Sequence, residues 1–308
     1  MIAQPVYVLV GLTASGKKRV GIRVAKAIDA EIISLDSIKI YRGMDIGSAK
    51  PSMEDREKIR FHLIDILDPS QSFSVGQFLE AAAQCMKEIQ GRGRKVLFLG
   101  GTAFYLNCLM NGLIEGVGHD PEIRRYLLEH ADKEGPESLH RILQNEDPPS
   151  ASSIHPRDTK RIVRALEVIR LSCRPLSWLK ENQTKRFING PFRVAGLQRT
   201  REDLKARIIS RAEKMIEKGL VEEVRHLLET TGFGPESGKA IGYKEIIAHL
   251  KGELSLDEAA QKINTATWRF AKRQMTWYKR FNEIRWFEVR VREELDQVAD
   301  AVSAYYLE

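Results

Sequence analysis

Val6-Tyr7-Val8-Leu9-Val10 runs without a charged side chain into Gly11-Leu12-Thr13-Ala14-Ser15-Gly16-Lys17-Lys18. A short apolar run that stops at a glycine turn predicts a buried strand of a parallel sheet. A helix is predicted next, because Val20, Ile22, Val24, Ala25 and Ile28 recur at helical spacing between Lys17 and Ile28. A glycine-rich turn between such a strand and such a helix is the setting of a phosphate-binding loop. The glycines let successive N–H groups point inward, the helix start adds partial positive charge, and Lys17 reaches phosphate oxygens. On this reading Gly11, Thr13, Ala14, Ser15, Gly16, Lys17 and Lys18 bind phosphate or pyrophosphate; a plain tight turn is the competing reading.

Strand–helix alternation continues outward from this point. Glu31-Ile32-Ile33-Ser34-Leu35 predicts a second strand ending at Asp36. A helix over Val75 to Gln90 leads through Gly91-Arg92-Gly93-Arg94 to the strand Lys95-Val96-Leu97-Phe98-Leu99, which runs into Gly100-Gly101-Thr102. Such alternation predicts an α/β fold with a parallel sheet and right-handed crossovers. Near Gly112 to Asp120 the pattern changes, and Asp120-Pro121-Glu122 reads as a helix start. From there to about Lys185 the pattern is helical with no convincing strand. Phe192 to Leu197 returns to the sheet, 201–231 is helical, Ile284-Arg285-Trp286-Phe287 reads as an edge strand, and Glu293 to Tyr306 as a terminal helix. The expected organisation is a catalytic core of 1–114 and 192–308, interrupted by an all-helical insertion at 115–191.

Composition narrows the classes. The chain has 308 residues, 43% of them hydrophobic and 30% charged. That is ordinary globular composition and excludes a collagen, a disordered tail or a mucin-like stalk. Three scattered cysteines, Cys85, Cys108 and Cys173, argue against a disulfide framework or zinc site and fit a reducing compartment. No apolar run is long enough to span a membrane, and Met1 to Pro5 does not read as a signal peptide, so a cytoplasmic protein is expected. The net charge of +7 is modest, but 151–225 holds 18 Lys/Arg against nine Asp/Glu, which leaves the remainder slightly acidic. A cationic excess concentrated in this way is a footprint for nucleic-acid phosphates; a solvated helical surface is the bland reading. Trp268, Trp277 and Trp286 read first as packing residues, with base stacking as the second reading. None of the seven His forms a metal-ligand pair at helical spacing, and His155 before Pro156 reads as positional.

The loop departs from the usual pattern at its end. A phosphate loop normally closes with a Ser or Thr whose hydroxyl binds Mg²⁺. Here the residue is Lys18, whose ammonium repels the ion. Either Lys18 supplies charge in place of part of the metal's role, or the site is weakened. Thr13 and Ser15 offer nearby hydroxyls, although not at the expected position. Asp36-Ser37 ends the second strand at the same sheet edge as the loop, where ligands sit in open α/β folds. A carboxylate there can accept a proton or hold a metal; alone it reads first as an N-cap or turn aspartate, and the elaborate Gly- and Pro-punctuated loop Tyr41 to Pro51 shifts the reading.

Further segments complete a pattern: Ile33-Ser34-x-Asp36-Ser37 with Tyr41, Gly43-Met44-Asp45-Ile46-Gly47, Ala49-Lys50-Pro51, Asp68-Pro69, and Gly100-Gly101-Thr102 with Tyr105. His155-Pro156-x-Asp158 with Arg161, Arg164-Ala165-Leu166-Glu167, Ala240-Ile241-Gly242-Tyr243 and Ala271-Lys272-Arg273-Gln274-x-Thr276-Trp277 follow in order. With the loop, they make the chain resemble the tRNA dimethylallyltransferases (tRNA isopentenyltransferases) over nearly its whole length.

The resemblance implies a P-loop NTPase-like core, with its nucleotide- or ATP-binding-type loop put to another use, and an inserted helical domain that grips the anticodon stem-loop. It implies transfer of a dimethylallyl group from dimethylallyl diphosphate to N6 of the adenosine 3′-adjacent to the anticodon. It further implies a monomer that uses Mg²⁺ as cofactor. Asp36 would be the general base or amine-orienting acceptor, with Thr102 bonding the base or the diphosphate. The target adenine would be flipped out of its stack. By resemblance the tRNA-facing residues are Asp36, Ser37, Ile38 and Lys39; Arg124; Lys160, Arg161, Ile162, Val163 and Arg164. They continue with Lys239, Ala240, Ile241, Gly242, Tyr243 and Lys244, and with Lys272, Arg273, Gln274, Met275, Thr276, Trp277, Tyr278 and Lys279.

Three positions depart from the family: Leu12 stands where proline is usual, Lys39 where Gln is frequent, and Lys18 where the hydroxyl is expected. A cation at 39 favours ionised Asp36. The expected activity is retained prenyl transfer, with Lys17 and Lys18 together offsetting the diphosphate charge. A tRNA-binding relative without catalysis is the first alternative and a P-loop phosphotransferase the second. The metal ligands are not legible in the sequence.

Overall fold

The computed structural model describes residues 5–290 and 294–308. Residues 1–4, which hold the start of the expected non-signal N-terminus, and Glu293, the expected start of the terminal helix, lie outside the described residues. The chain divides into two compact units: Met1–Met110 with Ile188–Glu308, and Asn111–Phe187.

The first unit is built on a parallel sheet. Its strands are β1 (Val6–Gly11), β2 (Ala30–Leu35), β3 (Phe61–His62) and β4 (Lys95–Gly100). After β5 (Leu113–Ile114) and β6 (Thr184–Lys185), which belong to the second unit, come β7 (Phe192–Gln198) and β8 (Ile284–Glu288). The order is β3-β2-β4-β1-β7-β8, and every described pairing within it is parallel. Every residue of β1 and β2 is buried. Continuous apolar runs rather than alternation are what a sheet covered on both faces requires. The sequence of crossovers reverses direction at β1, so the loop leaving it opens at a topological switch point.

Gly100 ends β4 against the Leu35 carbonyl. A Cβ there would lie 1.9 Å from that oxygen, so no other residue fits. The close approach lets Gly101 N–H and Thr102 N–H both donate to Leu35 O at 3.2 Å, which draws the ends of β2 and β4 together.

One face of the sheet carries the helix Lys17–Ala27 and the helix Leu295–Leu307. Val20, Val24 and Ala25 from the first pack with Val298, Ala299, Val302 and Tyr306 from the second. Arg19 meets Asp296 and Arg23 meets Asp300 across their exposed side. The Tyr306 hydroxyl donates to Val8 O at 2.7 Å, tying the later helix to the central strand.

The N-terminal end of β2 holds a buried carboxylate. Glu31 is about 7% exposed and accepts from Arg92 Nε (3.1 Å) and Nη2 (2.7 Å), with His62 Nε2 at 2.6 Å. Burial would raise its pKa, but the Arg92 and His62 hydrogen bonds outweigh burial and bring it to about 2.

The second unit is helical, as the middle pattern predicts. Leu127, Leu139, Leu143, Ile162, Val163 and Leu166 fill its core. Asp120 caps the helix Pro121–Glu134 by accepting from Glu122 N and Ile123 N. One difference from expectation is the antiparallel pair β5–β6. Two residues a side are too few to leave a periodic trace in sequence.

Candidate active site at the carboxyl edge of the sheet

The loop between β1 and the helix Lys17–Ala27 has the backbone that its glycines and small residues allow. Gly16 has φ 96° and Ala14 φ 62°, two left-handed turns that curl the chain around its own N–H groups. Lys17 folds back so that its ammonium donates to Leu12 O at 3.2 Å. Burial, then the neighbouring Lys39 and Arg211, lowers its pKa to about 7, against a smaller opposing pull from Asp36. The site therefore concentrates positive charge that an anion would relieve.

Three arginines that the motif reading missed support the loop from outside. Arg199 Nε donates to Ser15 O and Arg207 Nε to Ala14 O, each at 2.8 Å. Arg211 Nη1 lies 3.4 Å from Thr13 Oγ1. Arg207 and Arg211 sit four apart on the helix Arg201–Glu217, hence on one face. Their 207/211 spacing was visible in the sequence, but nothing there pointed to a partner near residue 14.

Asp36 follows β2 at the same edge. Its Oδ1 accepts from Ile38 N at 3.0 Å and more weakly from Lys39 N at 3.4 Å; its Oδ2 takes no hydrogen bond from any described residue. No cation among the described residues comes within ion-pairing distance of it, although Lys17, Lys39 and Arg211 all feel its charge. Thr102 stands beside it, with Oγ1 accepting from Ser37 N at 3.2 Å. The structure thus brings together the loop, Asp36, Lys39 and Thr102.

The Gly43-to-Gly47 segment is clamped rather than open. Glu223 accepts from Asp45 N, Ile46 N and Gly47 N, and from the Tyr243 hydroxyl at 2.7 Å. Lys50 is buried and donates to Tyr41 O, Asp45 and Asp65.

Several residues expected to face tRNA do not present their side chains. Ile162 and Val163 lie in the core of the helical unit, and Ala240, Tyr243 and Tyr278 are buried in the other unit. Gln274, about 3% exposed, points inward as well. Its Oε1 accepts from Thr13 N at 2.9 Å and its Nε2 donates to Gly101 O at 2.7 Å, so it bridges the loop to the β4 turn. Arg124 and Arg164 both pair with the buried Glu167, and Arg164 also donates to Val117 O and Gly118 O. These bonds hold the turn before Pro121 while both side chains stay partly exposed. Lys160, Arg161, Lys239, Lys244, Lys272, Arg273, Thr276 and Lys279 are exposed, while Ser37, Ile38, Ile241, Met275 and Trp277 are half-buried and Gly242 is buried. The tryptophans are in protein contacts: Trp268 under Arg201 and Lys272, Trp277 against Phe104 and Arg280, Trp286 against Tyr278.

The loop does not fit the Mg²⁺ that the resemblance implies. Lys18 pairs with Asp55 at 2.6 Å. The Ser15 hydroxyl is buried against Gly11, where a Cβ would sit 2.8 Å away, and the Thr13 hydroxyl faces Arg211. Among the described residues no group of three or more His, Cys, Asp or Glu is arranged to hold a metal.

The family model for IPP transferases matches residues 39–281. The tRNA dimethylallyltransferase of Geobacter metallireducens is 46% identical over 301 residues, covering 96% of each chain. The chain belongs to the tRNA dimethylallyltransferase family. The family's enzyme from Pelotomaculum thermopropionicum is 42% identical over 97% of this chain and 96% of its own. Among solved structures, the full-length tRNA isopentenylpyrophosphate transferase of Bacillus halodurans superposes with TM-score 0.71 at 33% identity, covering 99% of this chain and 97% of its own. A eukaryotic dimethylallyltransferase acting on tRNA gives TM-score 0.83 at 25% identity, covering 97% of this chain and 77% of its own. The family's fold is the P-loop-like one described above. Members are prenyltransferases, so the chain is an enzyme by descent.

Proposed function

We propose that this protein transfers a dimethylallyl group from dimethylallyl diphosphate to N6 of the adenosine 3′-adjacent to the anticodon of a tRNA. The observation that carries the reading is the joint placement, at one sheet edge, of a cation-lined phosphate loop and a carboxylate with an uncommitted oxygen. The loop N–H groups and Lys17 receive the diphosphate. As the C1–O bond breaks, its electron pair leaves on the diphosphate oxygen, where fixed donors stabilise the growing charge. The N6 lone pair forms the new bond to C1, and the N6 proton passes to Asp36 Oδ2. The Thr102 hydroxyl lies where it can bond the incoming purine, which must leave its stack to reach the acid.

Exposed Lys160 and Arg161 on the helical unit, Lys272 and Arg273 on the helix Leu256–Tyr278, and Lys279 at its C-cap supply sequence-independent phosphate contacts. In this reading the helical unit 111–187 holds the anticodon stem-loop, and the enzyme acts as a monomer in the cytoplasm. No helix among the described residues is long and apolar enough to cross a membrane.

The test is direct. Purified protein is incubated with labelled dimethylallyl diphosphate and unmodified tRNA carrying adenosine at the target position, and the nucleosides are resolved by mass spectrometry. Prenylated adenosine at that position is expected. Absence of label in RNA, while a known family member labels the same tRNA, overturns the reading.

A further inference from the structure

We infer that in this chain the Lys18 ammonium, steadied by Asp55, takes the place of the metal at the diphosphate, so that protein cations alone receive the leaving group. The inference rests on the prenyl-transfer reading above and specifies how its anion site is completed.

Position 18 is the second residue of the helix Lys17–Ala27, where a phosphate loop otherwise places its Mg²⁺-binding hydroxyl. A protonated amine has no lone pair for Mg²⁺ and repels it. It can instead donate up to three hydrogen bonds to anionic oxygens. The side chain is not loose in solvent. Its Nζ lies 2.6 Å from Asp55 Oδ2, and Asp55 is only about 19% exposed. Asp55 is itself fixed, since it accepts from Ser52 N and caps the helix Met53–Lys58 reciprocally with Ser52. Burial would raise the Asp55 pKa, but Lys18 and Ser52 outweigh burial and hold it below the ordinary range, so the pair is ionic.

Lys18 reaches the site electrostatically through Lys39. Lys39 feels Lys18 together with Asp36 and Arg211, and Lys17 feels Lys39, Arg211 and Asp36. Neither remaining loop hydroxyl replaces the missing ligand. Ser15 Oγ is sealed beneath Gly11, and Thr13 Oγ1 faces the Arg211 guanidinium. The loop has thus exchanged a metal ligand for a fixed charge. During transfer the C1–O bond breaks with both electrons leaving on the diphosphate, the N6–C1 bond forms, and the N6 proton goes to Asp36. The departing charge meets Lys17 and Lys18, and no divalent ion is required for balance.

Binding of inorganic pyrophosphate, followed by calorimetry in EDTA and in excess Mg²⁺, tests this apart from catalysis. Wild type should bind in EDTA within about threefold of its Mg²⁺ affinity, the charge-assisted contacts being supplied by protein. Lys18→Thr should lose at least about tenfold in EDTA and recover in Mg²⁺, because it restores the hydroxyl. Lys18→Met should lose at least about tenfold in both media, as charge and hydroxyl are then absent. Thermal melts confirm that each variant is folded.

Two results overturn the inference: wild-type binding that Mg²⁺ tightens tenfold or more, or Lys18 variants that bind pyrophosphate in EDTA as wild type does (about tenfold being 1.4 kcal/mol). Prenylation of tRNA is measured in parallel. Metal-independent pyrophosphate binding with no transfer in either medium would sink the functional reading while leaving the anion site as described here.

Discussion

A single strand, β2, carries a carboxylate at each end, and the two are treated in opposite ways. Glu31, at the N-terminal end, is saturated: Arg92 grips both oxygens and His62 adds a third contact. Asp36, just past the C-terminal end, has three cations in its field yet no described ion pair, and one oxygen without a donor. A buried acid whose bonding is complete can only hold structure. An acid surrounded by charge but left short of partners is prepared for something that arrives later. The strand separates the two tasks by about 16 Å, at roughly 3.3 Å per residue, so neither charge set compromises the other.

The largest expected effect breaks the Asp36 end. Asp36→Asn should lower prenyl transfer by about 10²–10⁴-fold, the range of a lost general base, with tRNA affinity within a few-fold. Parallel loss of RNA binding would make Asp36 a structural residue.

The next sharpens how that end is held. Gln274→Ala removes two buried hydrogen bonds of the loop, at Thr13 N and Gly101 O. Pyrophosphate affinity should fall roughly ten- to a hundredfold, since unsatisfied buried groups cost about 1–3 kcal/mol. Unchanged affinity would show that the arginines alone suffice to hold the loop.

Changing Glu31 should do the reverse of changing Asp36. Glu31→Gln should cost about 1–3 kcal/mol of stability at neutral pH while leaving kcat unchanged. Its folded pKa is depressed to about 2, so the contribution is present above the unfolded value and fades as pH falls toward the folded one. Urea melts of wild type and variant should therefore converge between about pH 4.5 and about pH 2. A gap that persists at the acid end would mean that packing, not charge, is responsible.

The smallest effect concerns protons. Lys17, with pKa lowered to about 7, is part neutral in the free enzyme at mildly alkaline pH. Pyrophosphate favours its charged form, so binding at about pH 8 should take up a proton, up to about one per site, with uptake vanishing near pH 6. Calorimetry in buffers of different ionisation enthalpy reads this directly after correction for pyrophosphate's own titration. No excess uptake would place the Lys17 pKa outside this window.

The legible parts of the molecule were the local ones. Strands β1, β2, β4, β7 and β8 announced themselves as apolar runs, and the phosphate loop is contiguous in sequence. Asp36 and Thr102 stood out because each follows a strand at the ligand-binding edge. The two-residue strand β3 did not, since Phe61 and His62 are only half-buried and show no alternation. Arg199, Arg207 and Arg211 escaped notice because their partners lie 184, 193 and 198 positions earlier. Motif resemblance carried whole segments to the RNA, such as 160–164 and 272–279. A helix, however, turns adjacent residues to different sides: Lys160 and Arg161 face out where Ile162 and Val163 face in. Gln274 is the instructive case, since its segment stands out in the sequence while the partners of its side chain, Thr13 N and Gly101 O, lie far away along the chain.

The clasp between the phosphate loop's helix and residues 295–307 has a consequence for biosynthesis. Arg19 and Arg23 wait for partners 277 positions downstream. A ribosome must add all of that chain before the helix gains its outer brace, so a nascent polypeptide that already displays the loop has only part of its final grip.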